Sequence, residues 1–390
     1  MKPYTVSRGR LFGTLCSLVL LMNLGRVVFA PLLTKFMSVF SIGEATAGLI
    51  VTLVWIGSAA LRVPTGWLLT RVARHKVVLG TGAVLTAAAA FTAGANSVPM
   101  LAVGALLMGL ASGAYLVAAN PLVSELYPER VGRAVGIHGS ASQVAAVVAA
   151  PFVTVALFYN WRVVFVAIGI AAAVVTAFLY VTTRRTDLPD AGNADRDLVG
   201  SARQQWRVIL LGIVILGFTG FVWQGLFNFY ELYMLQKDLG RTTAKNLLTV
   251  VFAAGVPAFF FSGRLADRLP HIPYLICIVG TFVACLVALT RVNAVLPVVA
   301  ITAVLGYVIH SLFPALDTYL LDTLPDENRA SAYAVYSGGM MVLQATGSFA
   351  VGSLAQAGFT YDTIFLGFGV GLAVLVVALV GLRQTGRLPT

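Results

Sequence analysis

The two halves of this chain are related by a repeat at a fixed offset. Gly66 corresponds to Gly263 and Pro128 corresponds to Pro325, and the members of each pair lie 197 positions apart. The glycines of the first pair precede a basic loop, whereas the prolines of the second pair follow an acidic residue. The two loops therefore have different local sequences. Two unrelated loops that share one offset indicate a duplicated unit, each copy being about half of the chain.

The composition predicts a membrane protein. Hydrophobic residues fill 59% of the 390 positions and charged residues 11%, and 38 glycines favour close packing between membrane helices. Twelve apolar runs are each long enough to cross a bilayer core of about 30 Å at a rise of about 1.5 Å per residue. The predicted spans are residues 11–33, 45–70, 77–94, 100–122, 134–158, 163–181, 206–229, 246–266, 272–289, 295–321, 330–354 and 363–382.

We therefore predict an all-α polytopic membrane protein with twelve transmembrane helices in two pseudo-symmetric six-helix bundles. The N-terminal bundle covers residues 1–181 and the C-terminal bundle covers residues 206–390. The stretch 182–205 between them is rich in arginine and aspartate. We expect it to be a cytoplasmic linker that is mobile or partly helical.

Positive charge predicts which side of the membrane each loop faces. With odd-numbered loops outside, 18 of the 26 Lys and Arg residues lie on the cytoplasmic side, 6 outside and 2 within spans. Cytoplasmic loops normally carry such an excess. We therefore expect a plasma-membrane protein with both termini in the cytoplasm. Because the net charge of +11 collects at helix ends, we expect membrane lipids and no nucleic acid as partners.

The sequence offers no catalytic or metal-binding pattern. Cys16, Cys277 and Cys285 lie in apolar runs without metal-ligand spacing, which is typical of packing residues. No nucleophile–base set and no phosphate-cradling Gly-Lys-Ser/Thr loop is present. We expect no enzyme activity, no ATP hydrolysis, no metal and no cofactor.

The loop of the second copy carries a family signature. It reads Gly263-Arg-Leu-Ala-Asp267-Arg268. This resembles the loop signature of the major facilitator superfamily, which follows the second helix and recurs after the eighth. Through the repeat, the resemblance covers essentially the whole chain and implies a secondary transporter that works by alternating access. The first copy departs from the signature, with Thr70 in place of the usual Asp and Ala73 in place of a common Gly.

The resemblance also implies a set of gating residues. In the superfamily, acids at these helix ends pair with loop arginines and latch the inner side shut. The acids here would be Glu125 in the first copy and Asp322 in the second. The expected partners and loop residues are Gly66, Arg71, Arg74 and Arg133 for the first copy, and Gly263, Asp267, Arg268 and Arg329 for the second. The alternative is a scatter of solvated charges.

Two arginines fall within predicted spans, where a charge costs roughly 2.5–3.5 kcal/mol at a helix centre. Arg26, near Asn23, lies beyond the middle of its span toward the outside, and no acid in that span can pair with it. Arg62 lies nearer the cytoplasmic interface. Each arginine either contacts an anion in a central cavity or snorkels to the interface. Their depths differ by about 13 Å, which argues against one shared ligand.

Arg62 carries a second resemblance. The pattern Arg62-Val-Pro-Thr-Gly66 is similar to the second helix of nitrate/nitrite porters, whose arginine holds the anion. The matching position before Gly263 is Phe259, where those porters have a second arginine, and their glycine-rich signature is missing from the fifth span. The sequence therefore disfavours a nitrate clamp and leaves a larger anion, which arginine can bind in a bidentate manner.

Three titratable residues are candidates for proton coupling: Asp317 in the tenth span, His310 about two turns deeper, and His138 early in the fifth span. A carboxylate in a low-dielectric site can load and release protons near neutral pH. Asp317 is the only carboxylate placed well within a predicted span. The alternatives are an acid hydrated from the cytoplasmic side and histidines that pack through hydrogen bonds.

Neutral polar and aromatic side chains within the spans could complete a substrate site. The polar candidates are Asn23, Asn120, Gln143, Gln224, Asn228 and Gln344, and the aromatic ones are Trp223, Phe227, Tyr230 and Tyr319. The alternative for each is a lipid-facing or core position.

The function favoured by these features is secondary active transport of a small organic or inorganic anion by a monomer, with proton coupling as an option. The first alternative is proton-driven export of drugs or metabolites. Drug antiporters of the superfamily have a Gly-x-x-x-Gly-Pro pattern late in the fifth helix, where this chain reads Ala146-Val-Val-Ala-Ala150-Pro151. The second alternative is a non-transporting membrane sensor or a scramblase-like protein on the same fold.

Overall fold

The computed structural model describes residues 4–184 and 198–389, and within them the side chains of residues 4–7, 131–132, 198–199, 260, 263 and 326–330 are not described. All regular secondary structure in the described ranges is helical. Because a lipid environment offers no hydrogen-bond partner to a bare backbone, helices that satisfy their own backbone groups are the expected solution for so apolar a chain.

Six long helices form the first half. Helices 1 and 2 are each interrupted by a single residue, Val28 and Leu61. The bounds are Tyr4–Val27 and Phe29–Phe40 for helix 1, Glu44–Ala60 and Arg62–Leu68 for helix 2, Arg74–Ala93 for helix 3, Val98–Leu126 for helix 4, Val131–Leu157 for helix 5, and Arg162–Thr183 for helix 6.

Six more helices form the second half. Helix 7 contains one π turn, Ile213–Gly217, between two α-helical segments. The bounds are Trp206–Gly212 and Phe218–Gln236 around that turn for helix 7, Arg241–Ala266 for helix 8, His271–Leu289 for helix 9, Val295–Thr323 for helix 10, Asp326–Gln356 for helix 11, and Tyr361–Gln384 for helix 12.

Ten of the twelve helices are long and apolar enough to cross a membrane, as judged from the described residues. Helices 8 and 11 have 26 and 31 residues and include positions whose side chains are not described. Of the predicted linker 182–205, residues 185–197 lie outside the described ranges. The remainder includes a short helix, Leu198–Gln204.

Most predicted spans are shorter than the observed helices, and three of them illustrate the difference. Helix 1 extends to Phe40 rather than residue 33, and Pro31 is tolerated because it lies in the first turn of its second segment. Helix 7 continues to Gln236 rather than residue 229, and helix 8 begins at Arg241 rather than residue 246. The predicted ends of helices 7 and 8 fell where charged residues interrupt the apolar pattern.

The helix pairings of the first half recur in the second. Helix 1 packs on helix 5 and helix 3 packs on helices 4 and 6, while helix 7 packs on helix 11 and helix 9 packs on helices 10 and 12. Close contacts obey the same repeat. Gly109 lies against the Val54 carbonyl, and Gly306 lies against the Val251 carbonyl, each member 197 positions from its counterpart. A side chain at either glycine would collide with backbone, so the repeat is preserved in packing as well as in loops.

The chain divides into two compact units. The first contains helix 1, helix 2 from Leu53 onward, and helices 3 to 6. The second contains residues Ser41–Thr52 with helices 7 to 12. Thr52 joins this short stretch to helix 11. Its hydroxyl donates to the Ala345 carbonyl at 2.9 Å and accepts from the Phe349 amide at 3.1 Å.

Candidate functional site

Arg26 is buried in the middle of the first unit, with 9% of its surface exposed. One guanidinium nitrogen donates to Asn23 Oδ1 at 2.6 Å, and another lies 3.4 Å from the Ser58 hydroxyl. The guanidinium also lies over the Trp55 ring, 4.9 Å from its centroid. Across the described side chains, no carboxylate forms an ion pair with Arg26, and its Nε atom has no hydrogen-bond partner.

Two helices fix the atoms around Arg26. The Asn23 amide donates to the Ser142 carbonyl of helix 5 at 2.6 Å, which turns its oxygen toward the arginine. Ser58 is held in place because its carbonyl lies against Gly113 of helix 4, where a side chain would collide with it. The guanidinium is therefore oriented before any ligand binds.

Arg62 lies close enough to Arg26 for the two positive charges to repel each other. It begins the second segment of helix 2 and is half-buried. In a low-dielectric site such repulsion is poorly screened, and an anion placed near both charges would relieve it.

The same positions in the second unit are aromatic. Through the 197-residue offset, Arg26 corresponds to Trp223 and Arg62 corresponds to Phe259. Both rings contact His310, with centroid separations of 5.8 Å and 6.0 Å. Phe252 completes this aromatic cluster at 5.5 Å from the His310 ring. The duplicated unit has thus kept its helices while exchanging two charges for two aromatic rings.

His310 is oriented by its own helix. Its Nδ1 atom lies 2.7 Å from the Gly306 carbonyl, and because a carbonyl can only accept, Nδ1 carries the proton. Its ring lies against the backbone of Gly255. These contacts fit the packing interpretation of His310 and leave Nε2 as the atom that could accept a proton.

His138 belongs to a hydrogen-bonded chain that joins helices 1, 4 and 5. The Tyr115 hydroxyl donates to the Leu15 carbonyl at 2.7 Å and lies 3.0 Å from His138 Nε2. Since the hydroxyl has one proton, His138 Nε2 must donate to it. The third candidate for proton coupling, Asp317, is half-buried and accepts from the Tyr333 hydroxyl at 2.9 Å.

Helix 7 carries buried amides. Asn228 donates to the Ser348 hydroxyl of helix 11 at 2.8 Å, and Gln344 of helix 11 donates to the Leu216 carbonyl in the π turn at 3.2 Å. The Nε2 atom of Gln224 is buried and has no hydrogen-bond partner in the described part of the chain. A buried donor that lacks a partner costs free energy unless a ligand or water satisfies it.

The remaining predicted lining residues are scattered. Asn120 is exposed and Gln143 is half-buried. Tyr319 is buried, and its hydroxyl donates to the Pro389 carbonyl at 2.8 Å, so it ties helix 10 to the C-terminal segment. Phe227 stacks on Trp223, whereas the Tyr230 hydroxyl shares a short hydrogen bond with Thr302 of helix 10.

The acids expected to gate the protein have different partners in the two copies. Glu125 forms an ion pair with Arg74, one of its three expected partners. Asp322 instead lies 3.2 Å from His271, at the start of helix 9, and no ion pair joins it to Arg268 in the described part of the chain. The side chain of Arg329 is outside the described residues. His271 was missed because the expected partners were arginines.

Four other expected gating residues have exposed side chains. Arg71 stacks over Trp67, 4.0 Å from the ring centroid, and Arg133, Asp267 and Arg268 are exposed. Gly66 lies within the second segment of helix 2, and Gly263 lies near the end of helix 8.

The sequence interpretation missed one buried ion pair. Glu231 of helix 7 and Lys245 of helix 8 lie 3.9 Å apart, with 2% and 10% of their side-chain surfaces exposed. Asp317 is therefore not the only carboxylate within a membrane helix. Both residues lay just beyond the predicted spans 206–229 and 246–266. The spacing of Gln224, Asn228 and Glu231 along one helix face could have revealed the pair.

The sequence matches the family model of the Major Facilitator Superfamily over residues 15–289 and again over residues 212–389. A search of curated proteins found no match. The fold is similar to many solved structures. One is a bacterial homolog to the human lysosomal transporter Spinster, in an inward-facing and unoccupied conformation, with 17% identity and a TM-score of 0.75 over 97% of this chain and 95% of that one.

Two other similar structures come from different transporters. The nucleoside transporter NupG, solved as a mutant, has 11% identity and a TM-score of 0.79, over 96% of this chain and 99% of that one. A D-xylose-proton symporter has 16% identity and a TM-score of 0.77, over 96% of this chain and 97% of that one. At these identities the likeness establishes the fold alone.

The family match and the structural neighbours confirm the predicted all-α fold of twelve membrane helices in two pseudo-symmetric bundles. They also indicate a transporter with a small-molecule substrate rather than an enzyme. The chain belongs to the major facilitator superfamily of membrane transporters.

Proposed function

We propose that this protein is a secondary active transporter that moves a small organic anion across the membrane by alternating access. The observation that carries the proposal is Arg26, a buried guanidinium without a carboxylate partner among the described residues. An unpaired buried charge is costly, and an anionic ligand would supply the missing partner. Nearby Arg62 adds to the positive field.

The residues around Arg26 favour an anion with a planar carboxylate. Asn23 and Ser58 each engage one terminal nitrogen, and the Trp55 ring covers one face of the guanidinium. A fork of donors held in this way recognises carboxylate geometry, which a lysine could not reproduce. We propose Arg26 as the main anion contact and Arg62 as a weaker one.

The second unit favours an organic rather than an inorganic anion. Where the first unit has Arg26 and Arg62, the second has Trp223 and Phe259. Rings of this kind recognise apolar or aromatic groups. We propose that this part of the second unit suits an apolar or aromatic solute group, and that the Gln224 amide, which has no hydrogen-bond partner among the described residues, offers a donor.

The proposal includes the orientation expected from the charge distribution, with both termini on the cytoplasmic side of the plasma membrane. It also includes a monomer as the working unit. The Arg74–Glu125 and His271–Asp322 pairs, each within one unit, would then lie at the cytoplasmic ends of their helices, and we propose them as gating residues. Membrane lipids are the other proposed partner.

A thermal-shift series of ligands with one shared ring tests the solute class. Benzoate, benzyl alcohol and benzylamine differ mainly in charge, and nitrate and phosphate serve as inorganic anions. Because a bound ligand stabilises the folded state, benzoate should raise the melting temperature of the purified protein and the other four should not. Stabilisation by benzylamine alone would contradict the anion proposal, and an equal effect of nitrate would contradict the organic one.

Export of apolar compounds is the second candidate, because the cluster of Trp223, Phe227, Phe252 and Phe259 would also suit an uncharged aromatic solute. Stabilisation by benzyl alcohol to the same extent as by benzoate would favour this candidate. A ligand that binds but is neither accumulated nor exchanged in proteoliposomes would favour the membrane sensor instead.

A further inference from the structure

A polar stripe runs along one face of helix 7. Gln224, Asn228 and Glu231 follow one another at intervals of four and three residues, which places them on the same face of an α-helix. Their exposed fractions are 2%, 3% and 2%. The flanking residues are almost all apolar or aromatic, so the stripe is the exception in a membrane helix. Over seven residues it covers about 10 Å along the helix axis.

The stripe ends in an ion pair that is loose. Glu231 and Lys245 are 3.9 Å apart, beyond hydrogen-bond distance, although both are almost completely buried. The attraction between two buried charges at this distance offsets part of the free energy of their desolvation. Taking up a proton on Glu231 removes one of the two buried charges and ends the attraction between helices 7 and 8.

Lys245 is the charged neighbour that faces Glu231 from helix 8. Helices 11 and 12 also pack against helix 7. Helix 11 contains no charged residue from Ser331 to Gln356, and it meets the stripe through the Ser348 hydroxyl at Asn228.

Two other acidic residues of this unit, Asp362 and Glu44, lie near other side chains. Asp362 of helix 12 is engaged by Lys237 at 3.0 Å and by the Tyr233 hydroxyl, and Tyr233 is two positions from Glu231, on a different face of helix 7. Glu44 of the short stretch Ser41–Thr52 lies near Tyr361. Two residues of helix 10 also contact helix 7. Thr302 shares a hydrogen bond with Tyr230, and the His310 ring contacts Trp223, which lies about two turns closer to the N-terminus of helix 7.

We propose that Glu231 is the proton-binding site that couples a proton gradient to transport, with Lys245 as its counter-ion. The side chains of Gln224 and Asn228 continue the polar face from this site toward the middle of helix 7. Binding of one proton converts the carboxylate to a neutral acid and frees Lys245 from helix 7. This inference rests on the proposed transport function, whose main anion contact, Arg26, is separate from the Glu231–Lys245 pair.

Proton binding can be measured without any solute. In a pH titration of the reconstituted protein by infrared spectroscopy, a protonated carboxyl group adds a C=O band. All 15 Asp and Glu residues contribute to this band on acidification, and E231Q should lack only the component that Glu231 adds in the wild type. The matched control is D362N, because Asp362 also has a lysine partner but is half-exposed. Wild-type and E231Q spectra that titrate identically would overturn the proposal.

Two further variants separate proton binding from a purely structural pair. K245Q removes the positive neighbour, so the band should appear at higher pH, and E231D should keep a titrating band if E231Q fails to fold. The double variant E231Q/K245Q leaves no buried charge unpaired and should fold. Two results together would show that the pair has only a structural role. The double variant E231Q/K245Q would fail to fold, and E231D would fold but show no titrating band. The proposal would then fail.

The coupling itself is tested in proteoliposomes with benzoate as the probe. In the double variant, an imposed pH gradient should no longer drive accumulation, whereas exchange of labelled for unlabelled benzoate should continue. Accumulation at the wild-type level would overturn the proposal. If benzoate is not transported at all while the infrared band depends on Glu231, the anion proposal fails and the proton site stands.

Discussion

Asn23 Oδ1 lies 2.6 Å from a terminal nitrogen of Arg26, and the Asn23 amide group points the other way, to the Ser142 carbonyl. The neutral amide thus orients the arginine without cancelling its charge. A carboxylate at the same position would do both.

Replacing Asn23 with Asp should therefore create an internal competitor for the anion. We expect N23D to fold at least as stably as the wild type, since a buried charge gains a partner, and to bind benzoate about tenfold more weakly or worse. Isothermal titration and thermal unfolding measure the two quantities. N23L is the control, because it removes the hydrogen bond without adding charge and should lower both stability and affinity. Undiminished benzoate affinity in N23D would show that the anion does not use Arg26.

Changing Arg26 itself should distinguish charge from geometry. We expect R26A to abolish benzoate uptake in proteoliposomes and R26K to retain little of it, because the lysine ammonium cannot reproduce the planar fork. R62A should reduce uptake less, since Arg62 is only half-buried. Arg291 is an exposed loop arginine and R291A serves as the control. Wild-type uptake by R26A would mean that the arginine has a structural role.

The ion pair between Arg74 and Glu125 should matter more for transport than for stability. Its side chains are 20% and 28% exposed, and pairs of this kind contribute about 0.2–1 kcal/mol. We expect E125Q to change the free energy of unfolding by no more than that amount while reducing the uptake rate. The charge-swapped variant R74E/E125R should recover part of the rate. A swapped protein as slow as E125Q would argue against a gating role for the pair.

The contact of residues Ser41–Thr52 with helix 11 should not tolerate a larger residue at Gly48. A Cβ atom there would collide with the Ser348 carbonyl, whereas a Cβ at Gly80 of helix 3 would meet nothing within 4 Å. We expect G48A to destabilise the protein by about 1–3 kcal/mol because backbone must shift, and G80A to be neutral or stabilising. Thermal melts of the purified variants measure the difference. Equal melting temperatures for G48A and G80A would contradict the close contact.

The apolar runs and the repeated loops were enough to predict the fold, because a twelve-span chain has few alternatives in a membrane. The ends of helices 7 and 8 were not predictable in the same way. Glu231 and Lys245 each look like the polar boundary of a span when read alone, and only their proximity in space explains why both are buried.

The candidate site was predictable in part. Arg26 stands out because it is a charge in an apolar span, but its partners Ser58 and Ser142 come from other helices and carry no signal of their own. Likewise, Trp223 and Phe259 look like ordinary apolar residues until the repeat aligns them with Arg26 and Arg62. Long-range contacts of this kind are fixed by helix packing rather than by local sequence.

The π turn of helix 7 determines which way everything beyond it faces. A wide turn accommodates one residue more than an α turn, and each residue of an α-helix rotates the chain by about 100°. If the same residues Ile213–Gly217 were wound as an ordinary α-helix instead, Gln224, Asn228 and Glu231 would turn together by about that angle, away from Ser348 and Lys245. That change would also remove the need for Gln344 to bind the Leu216 carbonyl. The direction in which the second segment of helix 7 presents its polar side chains thus depends on a single inserted residue in the π turn.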